Sequence, residues 1–369
     1  MPPTIVRFSQ EHIDGVRLFN QRLKNEGIRF QFPENPNPLW LPKSNSDKLY
    51  QEFYVAADDS NVNGAYVLKH QDFLVNGKVK SIGNYGLPLS EGIIDRRFNA
   101  TGLRLLNDAL TRQPDLYALG MGGLDRPLPR FLKSMGWKLK LVPFYFYVVH
   151  SKRFFSEIQN FKQTRFKTNL ANFMSLIGIG NVGVKLWQWF NTKFKPTDED
   201  SKLIDSFGDW ADYLWEEANG NYSLCAVRTS EFLNVLYPSN NGRFIRLKVL
   251  SDSNVVGWAV VLDTKMSDDK YFGNLRVGSM VDCMALNGFE KHVVFCAKKF
   301  LIECEVDLIV TNQSHNFWRD GCEQNGFMKG PSNFALALSP QLWQSIVSSD
   351  KNWEKVHFTR GDGDGPINL

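Results

Sequence analysis

Along the first 150 residues the apolar positions change period several times. Thr4-Ile5-Val6-Arg7-Phe8 reads as a short strand, and Ile13, Val16, Phe19 and Leu23 follow at helical spacing behind Ser9, a helix-capping residue. Residues 30–42 hold four prolines, which forbid regular structure and leave an aromatic loop, a candidate substrate wall. Strand-like runs are predicted at 52–57, 64–70 and 79–88, the first two joined by the turn Asp58-Asp59-Ser60-Asn61. Arg97-Phe98-Asn99-Ala100-Thr101-Gly102 then opens a helix through Leu103, Leu105, Leu106, Ala109 and Leu110, stopped by Pro114. A strand is predicted at 115–120, a segment ending Gly136-Trp137 follows, and one more strand covers 139–149. This alternation predicts a mixed α/β sheet.

The second half echoes the first. Asp307-Leu308-Ile309-Val310-Thr311-Asn312 stands 19 residues before Gly326-Phe327, as Asp115-Leu116-Tyr117-Ala118-Leu119 stands 21 residues before Gly136-Trp137. Each run follows a helix-like stretch (289–302 in the second copy), and each Gly-aromatic pair precedes a strand (334–338). A degenerate duplication is the economical reading.

Charge sharpens the division. Residues 151–196 carry eight Lys or Arg against Glu157, and residues 198–217 carry eight acids against Lys202. The reversal predicts three units: 1–150, a basic aromatic arm 151–197, and 198–369. With 369 residues, 43% hydrophobic and 22% charged, each half can bury a core, and a net charge of +4 demands no nucleic-acid partner. The five cysteines all lie in the second half without a Cys-x-x-Cys pair, which speaks against a disulfide framework or zinc knuckle and for a reduced, cytoplasmic setting. Met1-Pro2-Pro3-Thr4 does not begin a secretory signal, and the uncharged run 168–184 is diluted by three Asn and three Gly, a poor membrane span. No two of the six histidines stand at metal-ligand spacing, and Asp362-Gly363-Asp364-Gly365 lacks the distal Glu of a calcium loop, so no metal is expected.

The element order, together with Arg97-x-x-Ala100-x-Gly102 and Gly136-Trp137, resembles the GNAT superfamily of acyl-CoA N-acyltransferases across residues 1–150. The motif there is Arg/Gln-x-x-Gly-x-Gly/Ala, from which Ala100 departs. Residues 205–360 resemble the same fold, with Ala285-Leu286-Asn287-Gly288-Phe289-Glu290 in place of that turn. Two such units in tandem, ending Arg360-Gly361-Asp362-Gly363-Asp364-Gly365, are similar to bacterial acyltransferases associated with surface-polysaccharide or glycoconjugate genes.

The resemblance implies acetyl-CoA or another acyl-CoA as co-substrate and a small-molecule amine, such as an amino sugar, as acceptor. Physics supplies a reason for the turn: a helix N-terminus offers unpaired N–H donors and partial positive charge to a pyrophosphate. The backbone of Phe98, Asn99, Ala100, Thr101, Gly102 and Leu103 would meet the phosphates, with Arg96 or Arg97 neutralising charge. Gly92, Ile93 and Ile94, read as strand, would bond the pantetheine arm. A capped helix start with solvated arginines is the other reading of the same residues. Glu91 is the candidate general base and Asp95 the second choice; a merely solvated or capping carboxylate is the alternative for Glu91. Leu132 stands where the family often has a tyrosine acid.

A Fem-type peptidyltransferase using aminoacyl-tRNA is an alternative, to which the basic arm could contribute, and a non-catalytic tandem binding protein is another. The arm could also hold the protein peripherally at an anionic membrane, or form a plain helix pair burying Phe161, Phe173, Leu176, Trp187 and Trp189.

Overall fold

The computed structural model describes residues 3–58, 61–158, 181–195, 199–346 and 350–363. Phe161, Phe173 and Leu176 lie outside the described residues. Two mixed sheets organise the chain. In the first, β1 (Thr4–Arg7), β2 (Tyr50–Asp58), β3 (Asn61–Val75) and β4 (Lys78–Ser90) are antiparallel neighbours, and β5 (Leu116–Leu119) joins β4 in parallel. Helix α1 (Ile13–Asn25) follows β1, and α2 (Thr101–Arg112) crosses from β4 to β5. After α3 (Pro127–Ser134) comes β6 (Lys138–Leu141).

The expected strand over 139–149 is two strands in two sheets. Pro143 has no N–H to extend a ladder, and Val142 donates instead to the Phe334 carbonyl at 2.8 Å. Beyond this break, β7 (Phe144–Val148) enters the second sheet, and α4 (Ser151–Ile158) and α5 (Asn181–Asn191) follow. That sheet is completed by β8 (Glu199–Leu203), β10 (Ile245–Ser251), β11 (Asn254–Lys265), β12 (Arg276–Ala285), β13 (Leu308–Asn312) and β14 (Met328–Gly330). Its order is β14-β7-β13-β12-β11-β10-β8. In return β15 (Ala335–Leu338) inserts between β5 and β6 of the first sheet. The short β9 (Leu224–Ala226) pairs with β3, and β16 (Val356–His357) with β9. The sheets thus exchange strands across residues 150 and 197.

The two units repeat one plan. β3 and β4 form a long hairpin with a register shift opposite Ala65–Val67, and β11 and β12 one with a shift between Val260 and Val261. Helix α2 follows the first hairpin and α8 (Glu290–Glu303) the second; between them lie α6 (Asp209–Ala218) and α7 (Ser230–Leu236), and α9 (Asn316–Gln324) and α10 (Pro340–Ile346) come later. Leu105, Leu106 and Ala109 of α2 pack on Tyr66, Leu68 and Tyr85; Val293, Val294, Ala297 and Leu301 of α8 pack on Ala259, Val261 and Cys283. Burying one such large side chain contributes roughly 1.5–3 kcal/mol. Gly64 in β3 lies so close beneath α2 that a Cβ there would meet Thr101 Cγ2 at 2.7 Å. Gly257 plays the same part beneath Val293 of α8.

Candidate functional site

β4 and β5 are bonded over only two pairs, Gly83 with Leu116 and Asn84 with Tyr117. Beyond Asn84, β4 runs on to Ser90 and pairs only with β3 among the described residues. Within this stretch Leu87 adopts φ +43° at the register shift, left-handed backbone that is rare for a branched residue. Past Asn84 the parting of β4 from β5 leaves an opening beside residues 85–90.

The strand ends where Ser90 Oγ accepts from the Gly92 N–H at 3.2 Å. Gly92, Ile93 and Ile94 are therefore not strand: Glu91–Ile93 is a 3-10 turn, and the Glu91 carbonyl accepts from the N–H groups of Ile94 and Asp95 at 3.0 and 2.8 Å. The extended backbone sought there belongs to residues 85–90. A Cβ on Gly92 would meet the Phe98 carbonyl oxygen at 2.6 Å, so this turn folds directly against the next.

Asp95 accepts from the Arg97 N–H at 2.9 Å and from its side chain at 2.5 Å, starting a second 3-10 turn, Arg96–Phe98. The helix expected to open at Arg97 consequently begins at Thr101. Arg97's hydrogen bonds hold the Asp95 carboxyl below its usual range. Asn99 and Ala100 are exposed, and Ala100 gives the N-cap of α2 no side-chain acceptor. Thr101 is buried, whereas Leu103 is exposed and Gly102 meets nothing nearer than Ser90 Cβ at 4.0 Å. Arg96, Arg97 and Arg104 are all exposed around an end with no acid in its first turn. Arg104, one turn on, escaped the motif reading although it is visible in the sequence.

Glu91 is only 5% exposed. Arg22 Nε of α1 donates to its Oε1 at 2.5 Å, and Asn63 Nδ2 donates to its Oε2 at 2.6 Å. The carboxylate thus ties the 3-10 turn to α1 and β3. Leu132 is fully buried in the core under α2.

The second unit is built differently at both equivalent points. At α8 the Glu290 carboxylate folds back to accept from the Gly288 N–H at 3.0 Å, so the helix end holds its own anion. Burial pushes that carboxyl's pKa up, against two backbone hydrogen bonds. The gap beyond the last β12–β13 pair, Met280 with Thr311, is filled by the C-terminal segment. Phe358 N–H donates to Ser314 Oγ at 2.6 Å, Arg360 Nε to Asn312 Oδ1 at 2.9 Å, and Thr359 Oγ1 to Asp282 Oδ1 at 3.2 Å.

This segment then reaches the first sheet. The Asp362 carbonyl accepts from Lys69 Nζ and Tyr117 Oη, both at 2.5 Å. Its carboxylate accepts from Arg228 Nη2 at 2.6 Å, and Arg228 also pairs with Asp282 at 3.0 Å, all three side chains being fully buried. Burial disfavours charge on each. Arg228 nevertheless holds Asp362 below the usual carboxylate range, while burial leaves Asp282 above it. Sequence reading considered 362–365 as a calcium loop that lacks its distal Glu; no local signal marks Asp362 as the partner of an arginine 134 residues away.

Solved structures share this fold, among them the following two. A conserved Enterococcus faecalis protein described as a probable N-acyltransferase matches 93% of this chain and 74% of its own, with TM-score 0.51 and 10% identity. Saccharomyces cerevisiae N-myristoyltransferase with bound myristoyl-CoA matches 92% of this chain and 84% of its own, with TM-score 0.53 and 10% identity. The chain therefore has the expected fold class, a mixed α/β architecture of two mixed sheets whose units repeat one plan, and it shares the fold of these structures. No protein-family model matches the sequence, and no curated protein matches it.

Proposed function

We propose that the protein is an acyl-CoA-dependent N-acyltransferase that binds its donor in the first unit. The observation that carries this reading is the asymmetry between the two units. In the second, the gap between parallel strands is filled by the C-terminal segment and the helix N-terminus by Glu290. In the first, α2 begins without a capping side chain near exposed Arg96 and Arg104, charges that the helix dipole disfavours until an anion arrives, and near Arg97, which Asp95 already pairs.

The pyrophosphate would lie on the N–H groups of residues 98–103, and the pantetheine arm along residues 85–90 rather than 92–94. Donors considered are acetyl-CoA and longer acyl-CoAs. The acceptor is a small-molecule amine, an amino sugar of glycoconjugate synthesis being the first to try. In the reaction the amine nitrogen attacks the thioester carbonyl, the C–S bond breaks, CoA leaves as its thiol, and the amine gives up a proton. An amine of pKa near 8 costs only about 1.4 kcal/mol to deprotonate at pH 7, so water or a single carboxylate suffices as base. A leaving thiolate of pKa about 8.5 departs without the tyrosine that Leu132 replaces.

Calorimetric titration with acetyl-CoA, myristoyl-CoA and free CoA tests the reading, followed by thiol release in the presence of amino sugars. Saturable binding of at least one of them is the expected result. Absence of binding for all three would leave the aminoacyl-tRNA-dependent peptidyltransferase and the non-catalytic tandem protein.

A further inference from the structure

Helix α5 (Asn181–Asn191) carries apolar residues on two opposite faces, and among the described residues only one of them has a partner. Val184 on the inner face is fully buried with Phe146, Val148, Phe154 and Met328. Gln188 beside it is 3% exposed, its side-chain amide pairing with the main-chain N–H and C=O of Val148, both at 3.1 Å. The helix end is pinned as well: the N–H groups of Lys193 and Phe194 both donate to the Gln324 carbonyl, at 2.9 and 3.1 Å. This helix is a rigidly mounted element.

Its outer face is Leu186, Trp189 and Phe190, at i, i+3 and i+4. They are 50%, 70% and 70% exposed, and the two aromatic rings lie edge-to-face with centroids 4.7 Å apart. A plain inter-domain helix would bury Trp189, as the sequence suggested; the structure instead turns it outward. Lys185 flanks this face, and Lys193 and Lys195 follow just past the end of the helix; all three are exposed. Residues 181–195 contain no acid. Lys152 and Arg153 on α4, which precedes α5 in the chain, are exposed too.

Aromatic side chains that stand out from a fixed helix, with lysines beside them and no acid in the chain from 181 to 195, match the chemistry of an anionic bilayer surface. Indole and phenyl rings partition into the headgroup region while ammonium groups meet acidic lipid phosphates. We propose that the outer face of α5 docks the protein peripherally on membranes rich in anionic phospholipid. A neutral bilayer would lack the charge partner, and a soluble acidic protein would leave the two edge-to-face rings with no apolar medium to enter.

The test is co-sedimentation of the full chain with phosphatidylcholine vesicles containing or lacking about one-third phosphatidylglycerol. Three variants are compared with the wild type: Trp189→Ser with Phe190→Ser, Leu186→Ser alone, and Lys185→Glu with Lys193→Glu. All positions are exposed, and melting curves confirm that each variant is folded. Expected is binding to the anionic vesicles only, reduced about tenfold or more by the aromatic pair and by the charge reversal, and less by Leu186→Ser. Undiminished binding in the aromatic variant overturns the proposal, as does equal binding to neutral vesicles. A concentration-dependent dimer that the aromatic variant abolishes, without vesicle binding by the wild type, would assign the face to a second copy of the chain and equally overturn it.

Discussion

Asn84 and Tyr117 are the last residues to pair β4 with β5, and both side chains reach the main-chain carbonyl of Asp362, at 3.5 and 2.5 Å. The C-terminal segment that closes the opening of the second sheet is thus fastened at the mouth of the opening in the first. One strap makes the two units unequal, and the expected consequences can be measured.

Glycine substitutions separate the units. A side chain at Gly102 finds room, its nearest neighbour being Ser90 Cβ at 4.0 Å, whereas Gly288 sits at φ +87°, which valine adopts only with strain. Gly102→Val is expected to weaken acyl-CoA binding with little change in melting temperature, and Gly288→Val to lower stability by about 1–3 kcal/mol with binding retained. Calorimetry beside thermal melting reads both. Equal effects on binding in folded variants would place the donor elsewhere.

Arg97 is exposed and bonded to Asp95, also at the surface. Arg97→Glu should leave the melting temperature nearly unchanged and weaken CoA binding, more at low salt than at high. Affinity that is unaltered at low ionic strength would remove Arg97 from the proposed site.

Glu91 offers a sharper choice. Its two oxygens are engaged by Arg22 and Asn63. If the carboxylate is a clamp, Glu91→Gln costs about 1–3 kcal/mol of stability through the weakened charged hydrogen bonds, and the kcat of the folded fraction stays close to that of the wild type. A general base would show the reverse: an unchanged melt and kcat lower by about 10²–10⁴, the loss shrinking as pH rises. Denaturant unfolding together with a pH–rate profile distinguishes the two.

Much of this architecture was legible because its signals are local. The periodicity of α1 and α2, the Gly-aromatic pairs and the echo of residues 115–137 in 307–327 all lie within short windows. Gly64-Ala65-Tyr66-Val67 against Gly257-Trp258-Ala259-Val260 was a further signal, since both glycines seat a helix on a hairpin. The exchange of β7 and β15 was hidden, because a strand's choice of sheet depends on partners 160 or more residues away. At the site, the helix-opening turn was readable as a motif, but the clamp on Glu91 needed Arg22 brought from α1, 69 residues distant. Residues 92–94 misled because an apolar Gly-Ile-Ile run is compatible with a strand; Ser90, which caps the 3-10 turn, decides otherwise.

The buried charge cluster makes a strong stability prediction. Arg228 serves two buried carboxylates, so Arg228→Met would leave Asp282 and Asp362 without their cation, and a loss of about 3–5 kcal/mol is expected. Asp362→Asn removes one of two negative charges and should cost less. Urea unfolding at neutral pH gives both values. A smaller loss for Arg228→Met than for Asp362→Asn would mean that the arginine is not the pivot.

Two neutral histidines beside this cluster set the response to acid. Burial first of all drives His357 down from 6.5 to about 4 and His315 down to about 3. Below pH 6.5 the unfolded chain takes up protons that the native state refuses, so stability falls as pH falls, by up to about 1.4 kcal/mol per pH unit for each histidine. For His357 the effect ends near pH 4, where the native imidazole also protonates. Glu52, held down to about 2 first by its hydrogen bond with His70, loses its contribution only below about pH 4.5, so the window from 6.5 to 4.5 isolates the histidines from it. Glu290 and Asp282, raised by burial, act in the opposite sense, which makes the informative quantity a difference between proteins rather than one slope. Between pH 6.5 and 4.5, His357→Gln should therefore show a shallower loss of unfolding free energy than the wild type, by as much as one proton. Parallel pH dependences for the two proteins would mean that His357 carries its proton in the folded state and is not the acid-sensitive group.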